Sequence, residues 1–172
     1  MSTENIVKNE MAPIFLELGK ALFVCQSLEV ILRSLNAQLS HDDAEADGGE
    51  GTFGSALDFY SNETLGQLIN TLRKRIDIPA DLSDYLESGL KIRNEIVHDS
   101  MTRNIPRFAH SKGRLEVESE LAFMKFEVKK RIALVNKLLN ALLARDEFSN
   151  ADLKRNTEEL WAFINETSGL TQ

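Results

Sequence analysis

The sequence predicts an all-α protein, a bundle of about five helices in a single domain that spans residues 1–172. Apolar residues recur in alternating steps of four and three, the spacing that gives a helix one buried face. Leucine, alanine, glutamate and lysine are abundant, and only three prolines interrupt the chain. No segment has the alternating pattern typical of a half-buried strand. These observations favour helices over strands.

The first predicted helix begins near Pro13, a residue that suits a first helical turn. Its apolar stripe keeps a heptad spacing and consists of Ile14, Leu18, Ala21, Cys25, Leu28, Leu32, Leu35 and Leu39. Other apolar residues widen this surface, so the helix is either central in a bundle or shared between its own core and a partner subunit. A stripe of only about four heptads favours a bundle core over a free-standing coiled coil.

A flexible surface loop is expected at residues 41–54, where acids and glycines are concentrated. Residues 49–54 match the dinucleotide-binding fingerprint as a string, but an acidic loop precedes them where a strand is required, and acids repel phosphate. A calcium-binding loop is rejected because its twelfth position, which requires a bidentate acid, would be Gly54. The segment is therefore interpreted as a solvated acidic loop.

The second and third predicted helices have recognisable start signals. Thr64 and Gln67 have the spacing of a capping box at the start of the second helix. Its buried face is expected to consist of Leu65, Leu68, Ile69, Leu72 and Ile76. Pro79 opens a third helix that ends near residues 98–101. The apolar side of this helix is predicted to comprise Leu82, Tyr85, Leu86, Leu90, Ile96 and Val97.

A basic connector is expected at residues 102–114, which contain a proline and a glycine. A fourth helix then runs over about residues 117–144. Its apolar face is predicted to comprise Leu121, Met124, Val128, Ile132, Val135, Leu138, Leu139 and Leu142. Ser149 and Asp152 have a box-like spacing that indicates the start of a final helix.

The net charge of −7, from 20 basic and 27 acidic side chains, at first argues against a nucleic-acid partner. Five of the acids lie within residues 42–50, and without them the balance is 20 basic against 22 acidic groups. After Ser100 follows a stretch without acids that carries Arg103, Arg107, Lys112 and Arg114. A local field of this kind guides a phosphate backbone even on an acidic protein, so these four residues are candidate RNA contacts.

The cysteine and histidine content narrows the classes of site. The single Cys25 lies in the apolar stripe, which excludes an internal disulfide and favours a core residue over a nucleophile. One cysteine and three scattered histidines offer no metal-ligand pair at the usual spacing, so we expect neither a metal nor an organic cofactor. With no secretory leader and no apolar run of membrane length, we expect a cytoplasmic protein outside membranes.

Residues 93–98 carry the one motif that indicates chemistry. Arg93 falls on the apolar face of the third helix, where a guanidinium needs a partner or a wet cleft. Asn94 and His98 are one turn apart on the adjoining flank. The three residues offer a permanent cation, an amide and an imidazole, the side chain that titrates near neutral pH. Alternatively, Arg93 pairs with a core carboxylate such as Glu29, and Asn94 and His98 close the helix end.

Arg93, Asn94 and His98 resemble the signature of the HEPN superfamily (higher eukaryotes and prokaryotes nucleotide-binding domains), which is an Arg, a polar residue that is commonly Asn, three variable residues and a His. The layout is similar too, because HEPN domains are small helical bundles with a long first helix and the motif near the end of a later helix. Residues 21–35 look like the first helix of many bacterial members. The resemblance extends over residues 14–143.

The resemblance implies a metal-independent endoribonuclease that acts on RNA as a two-fold homodimer. Proteins of this kind serve as toxins or in phage defence, and an antitoxin is a further expected partner. His98 would be the general base or acid for attack by the ribose 2′-hydroxyl, and Arg93 would stabilise charge on the phosphorane oxygens. Asn94 would orient His98 or the phosphate.

Ideal helix geometry bears on how such a site is assembled. Arg93 and His98 are five residues apart, which places them roughly 140° apart around an α-helix. One chain would struggle to aim both at one phosphate, so a site shared by two subunits is expected. Two other interpretations remain open: a non-catalytic HEPN-like interaction module, and a helical regulator that binds a protein through exposed apolar surface.

Overall fold

The computed structural model describes residues 3–46, 52–76, 78 and 80–143. Within these ranges the chain is all-α and has no strand, which confirms the predicted fold class. The elements in chain order are α1 (Thr3–Ala46), α2 (Phe53–Phe59), a 3₁₀ turn (Tyr60–Asn62), α3 (Leu65–Arg75), α4 (Ala80–Asn94), a π-helical segment (Glu95–Asp99), α5 (Ser100–Phe108) and α6 (Ser111–Leu143). The predicted final helix lies outside the described residues.

Helix α1 is longer at both ends than the sequence predicted. It begins well before Pro13, so this proline lies inside the helix and not in its first turn. It also runs through residues 41–46, which were expected to be loop. The acidic end of the helix has a partner in α3, because Arg75 pairs with Asp43 at 2.5 Å. The acidic segment was interpreted as solvated loop because its partner Arg75 is distant in the sequence.

The chain divides into two compact units. One comprises residues 1–28 and 89–130, and the other comprises residues 29–88 and 131–172. In the second unit, all five residues predicted for the buried face of the helix now labelled α3 are buried. Thr64 and Gln67 form the predicted capping box at its start.

Two buried polar side chains of the second unit were not predicted. Asn36 donates from Nδ2 to a carbonyl of its own helix and to the Leu68 carbonyl of α3, both at 3.0 Å. Arg131, only 3% exposed, places its guanidinium 4.1 Å from the centre of the Tyr85 ring. The same guanidinium donates to the Ser88 hydroxyl at 2.6 Å. These contacts offset the cost of burying the Arg131 guanidinium and the Asn36 Nδ2 group, whereas Asn36 Oδ1 is buried without a hydrogen-bond partner among the described residues.

The first unit holds the residues of the candidate site. Its buried apolar side chains are Ile14, Ala21, Val24, Cys25 and Leu28 of α1, Ile96 of the π-helical segment, and Val117, Leu121, Met124 and Val128 of α6. Burial of Cys25 agrees with its prediction as a core residue. Two ion pairs, Lys125 with Glu17 and Arg114 with Glu10, connect α6 to α1. These contacts fix the first part of α6 beside the first part of α1.

The predicted connector at residues 102–114 is mostly helical, which corrects the sequence prediction. Helix α5 occupies residues 100–108, and α6 begins at Ser111 and not near residue 117. The buried side chains of α5 are Ser100 and Asn104, and both bond to helix backbone. Because the inward face of α5 is polar, the apolar periodicity that marks the other helices is missing here.

The turn between α5 and α6 depends on Gly113. A Cβ at this position would lie 3.0 Å from the carbonyl carbon and the Cα of Arg107, and closer still to the carbonyl oxygen. Carbon atoms that are not bonded normally approach only to about 3.5–4.0 Å. The glycine therefore lets the start of α6 approach the end of α5, where Arg107 contributes to the candidate site.

Candidate functional site

The motif lies across the junction between α4 and the π-helical segment. Arg93 and Asn94 are the last residues of α4, and His98 lies within the π-helical Glu95–Asp99. The Ser100 N–H donates to the Glu95 carbonyl, a bond over five residues that defines π-helical geometry. Single π-helical turns inside α-helices are frequent at functional sites.

The π-helical turn brings Arg93 and His98 together within one chain. Arg93 Nη1 lies 3.4 Å from His98 Nε2 and donates to Asn94 Oδ1 at 3.2 Å. The prediction that one chain points Arg93 and His98 to different sides of the helix is therefore wrong. It assumed α-helical spacing throughout, whereas π-helical bonding aligns residues that are five apart.

The contact between Arg93 and His98 joins two different kinds of polar group. A guanidinium has only N–H donors, whereas an imidazole nitrogen that carries no proton is an acceptor. Asn94 and His98 are exposed, and Arg93 is half-buried. An imidazole, an amide and a permanent cation thus meet at one exposed surface.

The π-helical turn also changes which neighbouring residues are buried. Ile96 is buried, whereas Val97, which was predicted on the apolar face, is 38% exposed. Ile96 thereby anchors the segment, and its carbonyl accepts from the Ser100 hydroxyl at 2.7 Å. Glu29, the alternative partner suggested for Arg93, is half-buried on α1. A pairing between these two residues stays a prediction.

Each of the four predicted RNA-contacting residues lies beside a carboxylate. Arg103 pairs with Glu95 and Arg114 pairs with Glu10. Arg107 pairs with Glu116 and Glu120, and Lys112 lies 4.0 Å from Glu116. The fold therefore brings acids to a stretch that has none in the sequence. This pairing weakens the field that suggested a phosphate-binding surface, and RNA contact by these residues stays a prediction.

Arg107 is the centre of a polar network in the described part of the first unit. Its Nη1 and Nη2 donate to the two oxygens of Glu120 at 2.7 and 2.9 Å. Nη1 also donates to Asn104 Oδ1 at 2.9 Å, and Nη2 donates to Glu116 at 3.1 Å. Hydrogen bonds from Arg107 lower the pKa of Glu120. The same bonds to Glu120, and next the bond to Glu116, raise the pKa of Arg107. Arg107 and Glu120 are therefore both charged at neutral pH.

A groove beside the motif is formed by the end of α4, the π-helical segment, α5 and α6. Its volume is about 750 Å³, and we call it the mixed groove because both charged and apolar side chains line it. The lining includes Glu95, Arg103, Arg107, Glu120, Phe123 and Met124. Phe123 is 63% exposed. Sequence analysis identified the arginines but missed Glu120 and Phe123, which an extension of the α6 periodicity would have placed on its outer face.

A second groove, about 560 Å³, lies between the first parts of α1 and α6. We call it the apolar groove. Its lining includes the exposed Phe15, Leu16 and Phe23, together with Lys125. Glu17 beside it accepts from Lys125, which is the main cause of its lowered pKa. The partner subunit suggested for α1 stays a prediction.

Other site classes find no support among the described residues. They include no group of three or more His, Cys, Asp or Glu side chains placed to hold a metal ion. None of the described helices has an apolar stretch long enough to cross a membrane. No family model, curated protein or solved structure matches the chain.

Proposed function

We propose that this protein is a metal-independent endoribonuclease of the HEPN type, with Arg93, Asn94 and His98 as its catalytic residues. The observation that carries the proposal is the 3.4 Å contact between Arg93 and His98 on an exposed π-helical turn. It places an imidazole, the side chain suited to proton transfer near neutral pH, next to a permanent positive charge. Attack on a phosphodiester needs both groups.

The proposed reaction uses the ribose 2′-hydroxyl as the nucleophile. When the phosphate binds, Arg93 turns to it and releases His98 Nε2, which removes the hydroxyl proton. The 2′-oxygen forms a bond to phosphorus while the bond from phosphorus to the 5′-oxygen breaks. Arg93 donates to the phosphorane oxygens as negative charge builds on them. Asn94 holds the guanidinium in place through its amide oxygen. The products are a 2′,3′-cyclic phosphate and a 5′-hydroxyl end.

The leaving 5′-oxygen requires a proton, which a second imidazole supplies. In a two-fold homodimer the second His98 is that acid, so we propose a homodimer whose two motifs face one cleft. Exposed Phe15, Leu16 and Phe23 on α1 give the chain an apolar surface that a second copy would cover. A role as a toxin or in phage defence belongs to the same proposal.

The test is cleavage of single-stranded RNA by purified protein in excess EDTA, with mass spectrometry of the product ends. We expect cyclic phosphate ends and a loss of at least about 100-fold in rate for His98→Ala. Arg93→Lys keeps the charge but loses the forked donor, so a large loss is expected there as well. His110→Ala is the matched control, because His110 is an exposed histidine outside the motif.

Equal rates for His98→Ala and His110→Ala would contradict the proposed role of His98. The second candidate function is a non-catalytic interaction module, favoured by the way Arg93 bonds to Asn94 and His98 of its own segment. That function predicts that the wild type does not cleave RNA. It also predicts that His98→Ala lowers the melting temperature more than His110→Ala does. Light scattering separately tests the homodimer, and a strict monomer would contradict it.

A further inference from the structure

The mixed groove has a charge balance that does not suit a phosphate. Arg103 and Arg107 contribute two positive charges to its lining, and Glu95 and Glu120 contribute two negative charges that pair with the same arginines. Glu116, outside the lining, also pairs with Arg107. A phosphate in the groove would lie against these carboxylates and be repelled. A neutral ligand with both donors and acceptors meets no such penalty. The groove therefore favours a heterocycle over an anion.

The apolar part of the groove offers a flat surface. Phe123 projects from α6 with 63% of its surface exposed, and Met124 lies next to it in the lining. Unpaired bases bind proteins by stacking on exposed aromatic rings, and their edges are recognised by polar groups around the ring. A volume of about 750 Å³ is within the usual range for small-ligand sites.

The two arginines around Phe123 differ in how many of their N–H donors can still bond to a ligand. Both Nη atoms of Arg107 are engaged by Asn104, Glu116 and Glu120, so Arg107 acts as a positioning residue. Arg103 is 55% exposed, and only its bond to Glu95 is formed within the described part of the chain. Its other N–H donors point to no described partner.

The Glu120 carboxylate supplies the matching acceptors. Each of its oxygens accepts one bond from Arg107, and an ionised carboxylate has about four acceptor positions in all. Arg107 lowers the pKa of Glu120, so these positions belong to an anion that cannot donate. The groove thus combines the forked donor of Arg103, an acceptor on Glu120 that Arg107 fixes in position, and the aromatic ring of Phe123.

We propose that the mixed groove is a guanine-binding subsite, in which the base stacks on Phe123, its O6 and N7 accept from Arg103, and its 2-amino group donates to Glu120. Among the four bases, guanine is the one that pairs the O6 and N7 acceptors with an N2 donor. The inference rests on the proposed ribonuclease function, for which it names an unpaired guanine next to the cleaved bond as the preferred substrate. Glu95 lies in both the motif and the groove lining, which connects the subsite to the catalytic segment.

The test is NMR titration of the intact chain with guanosine, inosine and adenosine. Inosine lacks the 2-amino group, and adenosine lacks both O6 and that amino group. We expect guanosine to bind at least about fivefold more tightly than either. Phe123→Leu should weaken guanosine binding at least about fivefold, because a stacked base loses its aromatic partner. Phe126→Leu is the matched control, since Phe126 is an exposed phenylalanine of α6 outside the groove lining.

Equal affinity for the three nucleosides would overturn the proposal, as would an equal effect of Phe123→Leu and Phe126→Leu. Circular dichroism of each variant shows whether the helices are retained. The titration is independent of cleavage, because a nucleoside has no phosphodiester. A chain that cleaves RNA but does not bind guanosine has the ribonuclease function without the subsite. A chain that binds guanosine but leaves RNA intact in EDTA has the subsite without the ribonuclease function.

Discussion

The close approach at Gly113 gives a prediction whose magnitude follows from the structure. In Gly113→Ala the new Cβ would lie 3.0 Å from two backbone carbons of Arg107, so the turn between α5 and α6 must open. Overpacking of this kind costs about 1–3 kcal/mol, and the backbone entropy gained by replacing a helical glycine returns about 0.5–1 kcal/mol. The difference is a net loss of up to about 2.5 kcal/mol in the free energy of unfolding, and we expect the upper part of that range because the new Cβ also meets the Arg107 carbonyl oxygen.

Gly19→Ala is the matched control for this prediction. Gly19 lies inside α1, and a Cβ there would have nothing within 4 Å. The same substitution should therefore stabilise the protein by about 0.5–1 kcal/mol. Urea unfolding followed by circular dichroism measures both variants against the wild type. A Gly113→Ala variant at least as stable as the wild type would refute the argument that this turn is closed by contact with Arg107.

Three further predictions concern polar groups. Arg107 lowers the pKa of Glu120. The ionised Glu120 therefore contributes its full stabilisation of the fold above the ordinary glutamate pKa of about 4.3, and this contribution is lost as pH falls through the lower folded value. In acid unfolding, Glu120→Gln should lose less stability than the wild type between pH 5 and 3. Asn36→Ala removes two buried hydrogen bonds, one of them to Leu68, and should cost about 1–3 kcal/mol in urea unfolding, whereas no measurable loss would contradict the role of those bonds. Ser100→Ala removes the hydroxyl bond to the π-helical backbone and should lower stability by about 1 kcal/mol together with RNA cleavage; unchanged cleavage would show that this bond does not hold the motif.

Elements with a regular apolar stripe were predictable from the sequence because burial alone defines them. The buried face of α3 and its capping box were both predicted residue by residue. The stripe of α1 was predicted almost as well, with Leu18 half-buried and the other seven residues buried. In both helices the spacing of apolar side chains carries the whole signal.

Elements whose inward face is polar could not be predicted in this way. Helix α5 buries Ser100 and Asn104, whose side chains bond to backbone carbonyls four residues earlier. Such residues also favour turns, so a local pattern with a proline and a glycine indicated a connector. The ion pair between Arg114 and Glu10 joins residues far apart in sequence, and no local window contains both.

In the candidate site, the residues could be identified from the sequence but their relative positions could not. The identity of Arg93, Asn94 and His98 was evident from the sequence, and their positions follow from a π-helical turn that no periodicity indicated. That turn changes the argument for a dimer. A second subunit is not needed to bring a guanidinium to the imidazole, because one chain already does so at 3.4 Å. In the proposed mechanism a second subunit is needed only to supply a second imidazole as the acid.

Mixing two inactive variants distinguishes these arrangements. If Arg93 and His98 act as a pair within one chain, a mixed dimer of Arg93→Ala and His98→Ala contains no intact pair and should remain as inactive as either parent. If the pair forms across the interface, the same mixed dimer contains one intact pair and should recover part of the cleavage, because its single His98 acts as the base while water protonates the leaving 5′-oxygen. Copurification of tagged and untagged copies shows that subunits have exchanged. Recovery of cleavage after mixing would refute the view that the π-helical contact is the catalytic pair, and continued inactivity in exchanged dimers is the result that the geometry of one chain predicts.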